Sequence, residues 1–401
     1  MLAKLKTLGP GLLYAGAAIG VSHLVQSTKA GAQYGYVLII AIILAHLFKY
    51  PFFAAGPRYA QHSGKSLVEG FAKIGKWAVL LLLVLTVTTM FTVQAAVTIV
   101  TAGLAQKLTG INLPPWQWSA ILLALCFLIL QVGKFNVLDQ LMKVIMIVLS
   151  LSTILAFAFS FGVEKSFADE GMKIFTITEE SDLAFLISFV GWMPAPLDIA
   201  IWHSIWSITN PNKSINKGNF DFNVGFYGTA ILGICFLILG ANTLYGTGMQ
   251  IESSAGKFAS QLVDIFTLSL GPWSYYIIVI AAFTTMFSTT LTCLDAMPRV
   301  MGRISGQLRF PSMVTARVWM IILVFGALII LGQFVESMGQ MVKLATTISF
   351  LTAPLLAYLT YRLVSIEKHN FAIWNDTEKR LAQIGLILLL ALSVLYIIQM
   401  L

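Results

Sequence analysis

The chain has 401 residues, of which 58% are hydrophobic and only 10% charged, against roughly 25% charged in an ordinary soluble protein. A mean hydropathy of +0.85 excludes a soluble globular domain, because apolar runs of about 18 or more residues, each able to cross about 30 Å of hydrocarbon as a helix, recur along its length. The formal charge of +8 would suggest nucleic acid in a soluble chain, but here it sorts by membrane side, and no nucleic-acid partner is expected.

The hydropathy pattern predicts eleven helices, at roughly 9 to 33, 36 to 56, 77 to 106, 117 to 133, 138 to 162, 183 to 207, 222 to 246, 272 to 296, 316 to 334, 338 to 362 and 381 to 400. Alternating segments of about ten residues, the mark of a membrane barrel, are not seen. The first run has no small-residue cleavage site and no soluble domain after it, so it does not read as a removable signal peptide. Cys126, Cys235 and Cys293 fall inside predicted spans without CxxC spacing, as packing residues rather than disulfide or zinc ligands.

Taken in order, the first span starts as an apolar helix and then meets Gly20, Ser22, His23, Gln26, Ser27, Thr28 and Lys29. Such a break frees backbone N–H and C=O groups that lipid cannot satisfy, so it survives only where protein or a water-filled cavity takes them up. The third span, from Ala78 to Ala105, has no carboxylate, and Gln94 is its one amide. The sixth carries GWMPAPLD at 191 to 198, where Pro194 and Pro196 each remove a donor and clash with the preceding turn. The eighth is polar at Ser288, Thr289, Thr290 and Thr292, and the tenth at Thr346, Thr347, Ser349 and Thr352. Hydroxyls of this kind usually bond neighbouring helices.

With the N-terminus inside, about 17 Lys and Arg residues fall on the inner side (Lys4, Lys6, Arg58, Lys65, Lys73, Lys76, Lys134, Lys213, Lys217, Arg299, Arg303, Arg309, Arg317, Arg362, Lys368, Lys379, Arg380). About six fall outside (Lys29, Lys107, Lys165, Lys173, Lys257, Lys343), which sets the N-terminus in the cytoplasm and the C-terminus outside by the positive-inside rule. The acidic segment between the fifth and sixth spans fits an outer loop, and the sequons at 212 and 375 would then face the cytoplasm. The expected location is the cell membrane, as a multi-pass protein of a bacterial inner membrane.

The two breaks are five spans apart, so they begin two five-helix halves (about 9–162 and 183–362) of inverted topology, with an extra helix at 381–400. Paired interrupted helices in inverted halves point to a midplane binding site in a secondary transporter. The whole chain, 1–401, is therefore expected to be one transmembrane transporter domain. Gly and Pro can also simply kink a membrane helix.

From these residues a family resemblance emerges. GPGLLYAGAAIGVSHLVQSTKAGAQYGY, SGKSLVEGF, TTMFSTTLTCLDAMPRVMGR and ISFLTAPLLAYL resemble the first helix, the Thr-Gly-Lys-Asn-Leu-Ala-Glu segment, the eighth and the tenth helices of the NRAMP divalent-metal transporters. The resemblance implies an all-α integral membrane protein with a LeuT-type fold, a 5+5 inverted repeat plus an eleventh helix, and spans one and six broken. It also implies transport of a divalent cation such as manganese or iron by alternating access.

The departures fall on the family's chemistry. Its Asp-Pro-Gly-Asn metal motif aligns with Gly20-Val21-Ser22-His23, which removes the carboxylate. In the sixth span, anchoring on Met-Pro makes Met193 the soft ligand, whereas anchoring on His203-Ser204 puts Asp198 at the family's histidine position. The family's third-helix acids are missing, which leaves proton coupling, and the role of a symporter, in doubt.

Site residues follow. Asp198, the one carboxylate placed well inside a predicted span, is a functional candidate and equally a cap for the helix after the prolines. His23 suits late transition metals or a freed carbonyl. Met193 and the carbonyls near Ala17, Gly20 and Trp192 complete the expected cradle. His46 and Lys49, three residues apart on one face, read as a proton path, a gate, or an ion pair to Asp198; Gln94, His203 and Thr346 are further candidates for path or gate, and Trp192 and Trp202 for gating a pocket.

No Walker loop, HExxH or GxSxG pattern occurs, so no enzyme activity, permanently bound cofactor or obligate protein partner is expected. The partners expected are the cation and the lipid bilayer. The loss of the family aspartate leaves two alternatives on the same fold: a carrier of a small organic solute or hydrated magnesium, and a transport-dead sensor.

Overall fold

A computed structural model describes residues 9–132, 135–164, 172–208, 215–249, 251–311, 313–333 and 337–400. Lys4, Lys6, Lys134, Lys165, Lys213, the sequon at 212, the middle of the acidic segment and the side chain of Lys217 lie outside what is described. Among the described residues the regular structure is helical throughout.

Span one is Pro10–Ala18, a break, a π-helical stretch Ser22–Ser27 and Thr28–Tyr34. Spans two to five are Ile39–Ser63, Lys76–Thr109, Pro115–Val132 and Phe135–Ser160. Span six is split into Glu180–Gly191 and Ile199–Ile208, and spans seven to eleven are Ile215–Leu244, Tyr275–Gln307, Ala316–Gln333, Met338–Glu367 and Asp376–Met400. Eight of these helices, among the described residues, are long and apolar enough to cross a membrane unaided. The chain is thus a multi-pass membrane protein, with its two interrupted spans at matching places in the two halves.

Two helices were not expected. Leu67–Ile74 starts at a capping box, in which the Ser66 hydroxyl and N–H both bond the Glu69 carboxylate. Ala255–Leu270 follows span seven and is apolar on one side only, burying Phe258, Leu262 and Phe266. Neither has the sustained hydropathy of a span, so a reading by hydropathy passes over both. The eighth and tenth spans also run past their expected ends, to Gln307 and Glu367. Ion pairs allow it: Asp295 with Arg299 one turn on, and Glu367 with Lys73.

Beside Asp198, which is partly buried, Asp182, Asp221 and Asp295 are buried, at 0%, 2% and 4% exposure, with Asp182 in the first turn of its helix. Asp221 accepts from the N–H groups of Gly9 and Gly11, each at 3.0 Å, and so caps the first helix from span seven. A helix start leaves such donors orphaned, and Pro10 between them has none to satisfy.

The end rich in Arg and Lys is closed by ion pairs. Arg58 holds Glu378 at 2.8 Å, Arg303 holds Glu69 at 2.6 Å, and Lys73 holds Glu367. Ser204 of the second sixth-span helix accepts from the Leu67 N–H at 3.0 Å, which locks the short helix onto it. The opposite end is open, with a vestibule of about 320 Å³ reaching down to Gln26 and Ser188.

Candidate transport site between the broken spans

In span one the break is built from hydroxyls. The Gly20 N–H turns to Ala18 instead of Gly16. The Gly16 carbonyl is then taken by Thr289 Oγ1 at 3.2 Å, from span eight. The Ala18 carbonyl also receives Ser22 Oγ at 2.7 Å. Gly20 leaves room there for the Thr289 side chain, which would lie 2.9 Å from a Cβ and would have to shift. The helix restarts when His23 and Leu24 donate to the Gly20 carbonyl, and His23 follows at once into the packed interior.

In span six the chain leaves the helix at Trp192, passes a cis Met193–Pro194 peptide and restarts at Ile199. Here the freed carbonyls meet a charge. Lys49 Nζ, from span two, donates to the carbonyls of Val190 at 2.6 Å, Met193 at 3.1 Å and Gly191 at 3.4 Å. The second half-helix is started by the Asp198 carbonyl, which accepts from Ile201 and Trp202. The Asp198 carboxylate accepts from Thr89 Oγ1 of span three at 3.1 Å. The expected alternative of a Lys49–Asp198 ion pair is therefore corrected: each is held by other partners, because the kink aims the carbonyls at span two and the Asp198 side chain at span three.

Between the breaks lies a cavity of about 20 Å³ lined by Ala17, Ser22, Trp192, Trp202, Thr289 and Cys293, among others. That volume holds about one water. The Trp192 Nε1 is buried with no hydrogen-bond partner. No cluster of three or more His, Cys, Asp or Glu side chains that could hold a metal is found among the described residues.

The expected site residues separate into groups. Ala17 and Trp192 line the small cavity, and Gly20 abuts Thr289 on its wall. His23 and Met193 both border Gly233 of span seven: a Cβ built there would be 3.5 Å from Met193 Sδ and 3.6 Å from His23 Nε2. His23 Nδ1 contacts Ser22 Oγ at 2.6 Å and Nε2 contacts the Thr229 carbonyl at 3.0 Å. His46 donates from Nδ1 to the Ile42 carbonyl at 2.8 Å and meets Thr229 Oγ1 at 3.2 Å through Nε2.

The others lie further off. Gln94 Nε2 bonds Thr98 Oγ1 and the Thr290 carbonyl, lacing spans three and eight. His203 stacks on Tyr14 at 5.7 Å. Thr346 joins Ser188 at 2.5 Å, and Gln26 reaches the same Ser188 at 2.8 Å. This chain of three spans separates the vestibule from the site below.

Thr229 and Ser188 were not singled out from sequence, and one threonine or serine among many in membrane helices carries no signal of its own. Thr89 sits in an apolar run, where nothing marks it as the partner of an aspartate 109 positions away.

Two interrupted helices facing one another, inside inverted halves with an added eleventh helix, define a membrane transporter of the LeuT fold. The chain matches the family described as natural resistance-associated macrophage protein-like (Nramp) over residues 11–401. It is 34% identical to an uncharacterized protein of Pasteurella multocida over 99% of this chain and 93% of that one. It is 24% identical to the divalent metal cation transporter MntH of Pediococcus pentosaceus, over 77% of this chain and 70% of the other.

The fold resembles the Eremococcus coleocola manganese transporter, solved with an aromatic bis-isothiourea substituted compound, with a TM-score of 0.74 at 15% identity over 98% of this chain and 86% of that chain. It also resembles Mhp1, a nucleobase-cation-symport-1 family transporter, with a TM-score of 0.63 at 15% identity over 97% and 92% of the two chains. The chain belongs to the Nramp family.

Proposed function

We propose that this protein is a secondary transporter that carries a divalent metal cation across the cell membrane by alternating access, with its N-terminus cytoplasmic and its C-terminus outside. The transport unit is the whole chain, as inverted repeats of about 9–162 and 183–362 with 381–400 added. One observation carries the reading: an imidazole from one broken span and a thioether from the other, His23 and Met193, converge against Gly233, and that donor pair suits manganese, iron or a similar ion. The relatives named for divalent metal and manganese transport support it.

In this reading Asp198 supplies charge to the site, and the carbonyls near Ala17, Gly20 and Trp192 supply oxygen ligands. Both nitrogens of His23 are engaged here, so ligation requires the ring to release the Thr229 carbonyl as the site opens toward the vestibule. Gln26, Ser188 and Thr346 form the gate above it. Span three offers no carboxylate from Lys76 to Thr109, so we assign it no proton route. The test is manganese uptake into proteoliposomes; uptake no faster than in empty vesicles overturns the proposal, and unchanged uptake and binding in Asp198→Ala removes Asp198 from the site.

A second reading is favoured by the tryptophans. A cavity lined by Trp192 and Trp202, with an indole N–H free to donate, would, once widened beyond the single water it now has room for, suit an ion that keeps its water, such as magnesium, or a small organic solute with an acceptor atom. Calorimetric titration with manganese, magnesium and candidate amines separates the two.

A further inference from the structure

Lys49 is 2% exposed in the middle of span two, and burying an ammonium in a membrane protein is costly unless something compensates it. Among the described residues it takes part in no ion pair. What surrounds its nitrogen is main chain: the carbonyl oxygens of Val190, Gly191 and Met193, at 2.6, 3.4 and 3.1 Å.

These carbonyls lie at the end of the first sixth-span helix, where the break removes the helical donors of Gly191 and Met193, while Val190 still accepts from the Met193 N–H at 3.2 Å. A helix C-terminus carries about half a negative charge on such groups, and the prolines that follow at 194 and 196 have no N–H to offer them. Three acceptors face a group with three donors. A neutral amine has only two N–H bonds, so the arrangement is complete with an ammonium and incomplete without its third proton.

Rings of carbonyls are also how membrane proteins replace the hydration shell of a free monovalent cation. His46, one turn before, does not compete for the cradle, since its ring is committed to Ile42 and Thr229. Asp198 is held by Thr89.

We propose that the ammonium of Lys49 is a built-in cation, tethered to span two and filling a carbonyl cradle at the end of the first sixth-span helix that would otherwise take a free monovalent cation. The chain then needs no soluble co-ion at this position. Because span two holds the cradle, any movement of the sixth-span break must either carry span two along or withdraw the charge. The proposal is independent of what the transporter carries.

The test reads binding rather than transport. Purified wild-type protein, Lys49→Ala and Lys49→Met are melted in N-methylglucamine chloride, with sodium, potassium, ammonium or methylammonium exchanged in at constant ionic strength. The wild type should not respond. Lys49→Ala should melt several degrees lower and recover saturably with at least one small cation, whereas Lys49→Met, whose apolar chain fills the space, should stay low in all of them.

The proposal is overturned if Lys49→Ala melts with the wild type in N-methylglucamine, if none of the four cations raises it, or if Lys49→Met recovers equally. Should Lys49→Ala be recoverable only as aggregate in N-methylglucamine, purification in the four cations decides: a monodisperse peak in any of them supports the proposal, and aggregate in all four overturns it.

Discussion

The Nε2 of His23 lies 3.0 Å from the carbonyl oxygen of Thr229, a contact across 206 positions that ties the broken first span to span seven at the level of its break. The same threonine meets His46 through its hydroxyl at 3.2 Å. His23→Ala removes a fully buried ring and leaves that carbonyl without its donor, so it should cost about 2–4 kcal/mol and reduce manganese uptake roughly tenfold or more. Thr229→Val keeps the carbonyl and loses only the hydroxyl, and should cost about 1 kcal/mol. Thermal melting alongside proteoliposome uptake checks both, and equal effects would contradict the division of roles.

Asp198 can be divided between its bond to Thr89 and its charge. Asn can still accept from the Thr89 hydroxyl and carries no charge, while Ala removes both properties. Asp198→Asn should therefore leave the melting temperature near wild type and slow metal uptake, and Asp198→Ala should cost about 1 kcal/mol more. Uptake retained in the Asn variant would make Asp198 a partner of Thr89 alone.

Spans one and seven approach too closely for side chains at Gly11 and Gly225 and again at Gly31 and Gly240. A Cβ on Gly31 would lie 1.8 Å from the Leu237 carbonyl oxygen, and one on Gly240 would lie 2.2 Å from that of Thr28. Gly31→Ala and Gly240→Ala should each destabilise by about 1–3 kcal/mol. Once either has pushed the helices apart the other costs less, so the double variant should fall short of the sum.

At the basic end, hydrogen bonding to Glu367 holds the Lys73 ammonium above the ordinary lysine range. A raised value means that the contact contributes in full below about pH 10.4 and is lost only as pH climbs through the raised value. Between neutral and mildly alkaline pH the protection this pair gives residues 67–74 should therefore stay constant, so that hydrogen exchange there changes with pH only through the intrinsic rate. It should quicken in Glu367→Gln at every pH below that value.

Much of this architecture can be read from the residues themselves. Pro194 and Pro196 cannot sit inside a continuous helix, and Gly20-Val21-Ser22-His23 puts polar groups where lipid would be, so both breaks are local facts of the sequence. The side to which each break presents its carbonyls is not local. It depends on Thr289, 273 positions from Gly16, and on Lys49, more than 140 positions from Val190. That is why the candidate residues were foreseen as one cluster and lie in separate groups.

Helix ends failed for a related reason. Asp295 with Arg299, and Glu367 with Lys73, keep helices going where hydropathy has already fallen. Ala255–Leu270 has an apolar face but not the length of a span, so composition alone files it with the loops.

The Asp221 carboxylate that closes the start of span one fastens that helix to span seven at its first residues, before His23 on Thr229 and the glycine contacts further along. Fastened at three heights, the two helices behave as one lever. Swinging the first segment away by itself would strip Gly9 and Gly11 of their acceptor, whereas turning the pair together leaves every fastening intact and moves the slip plane to the faces that touch spans two, five, six and eight.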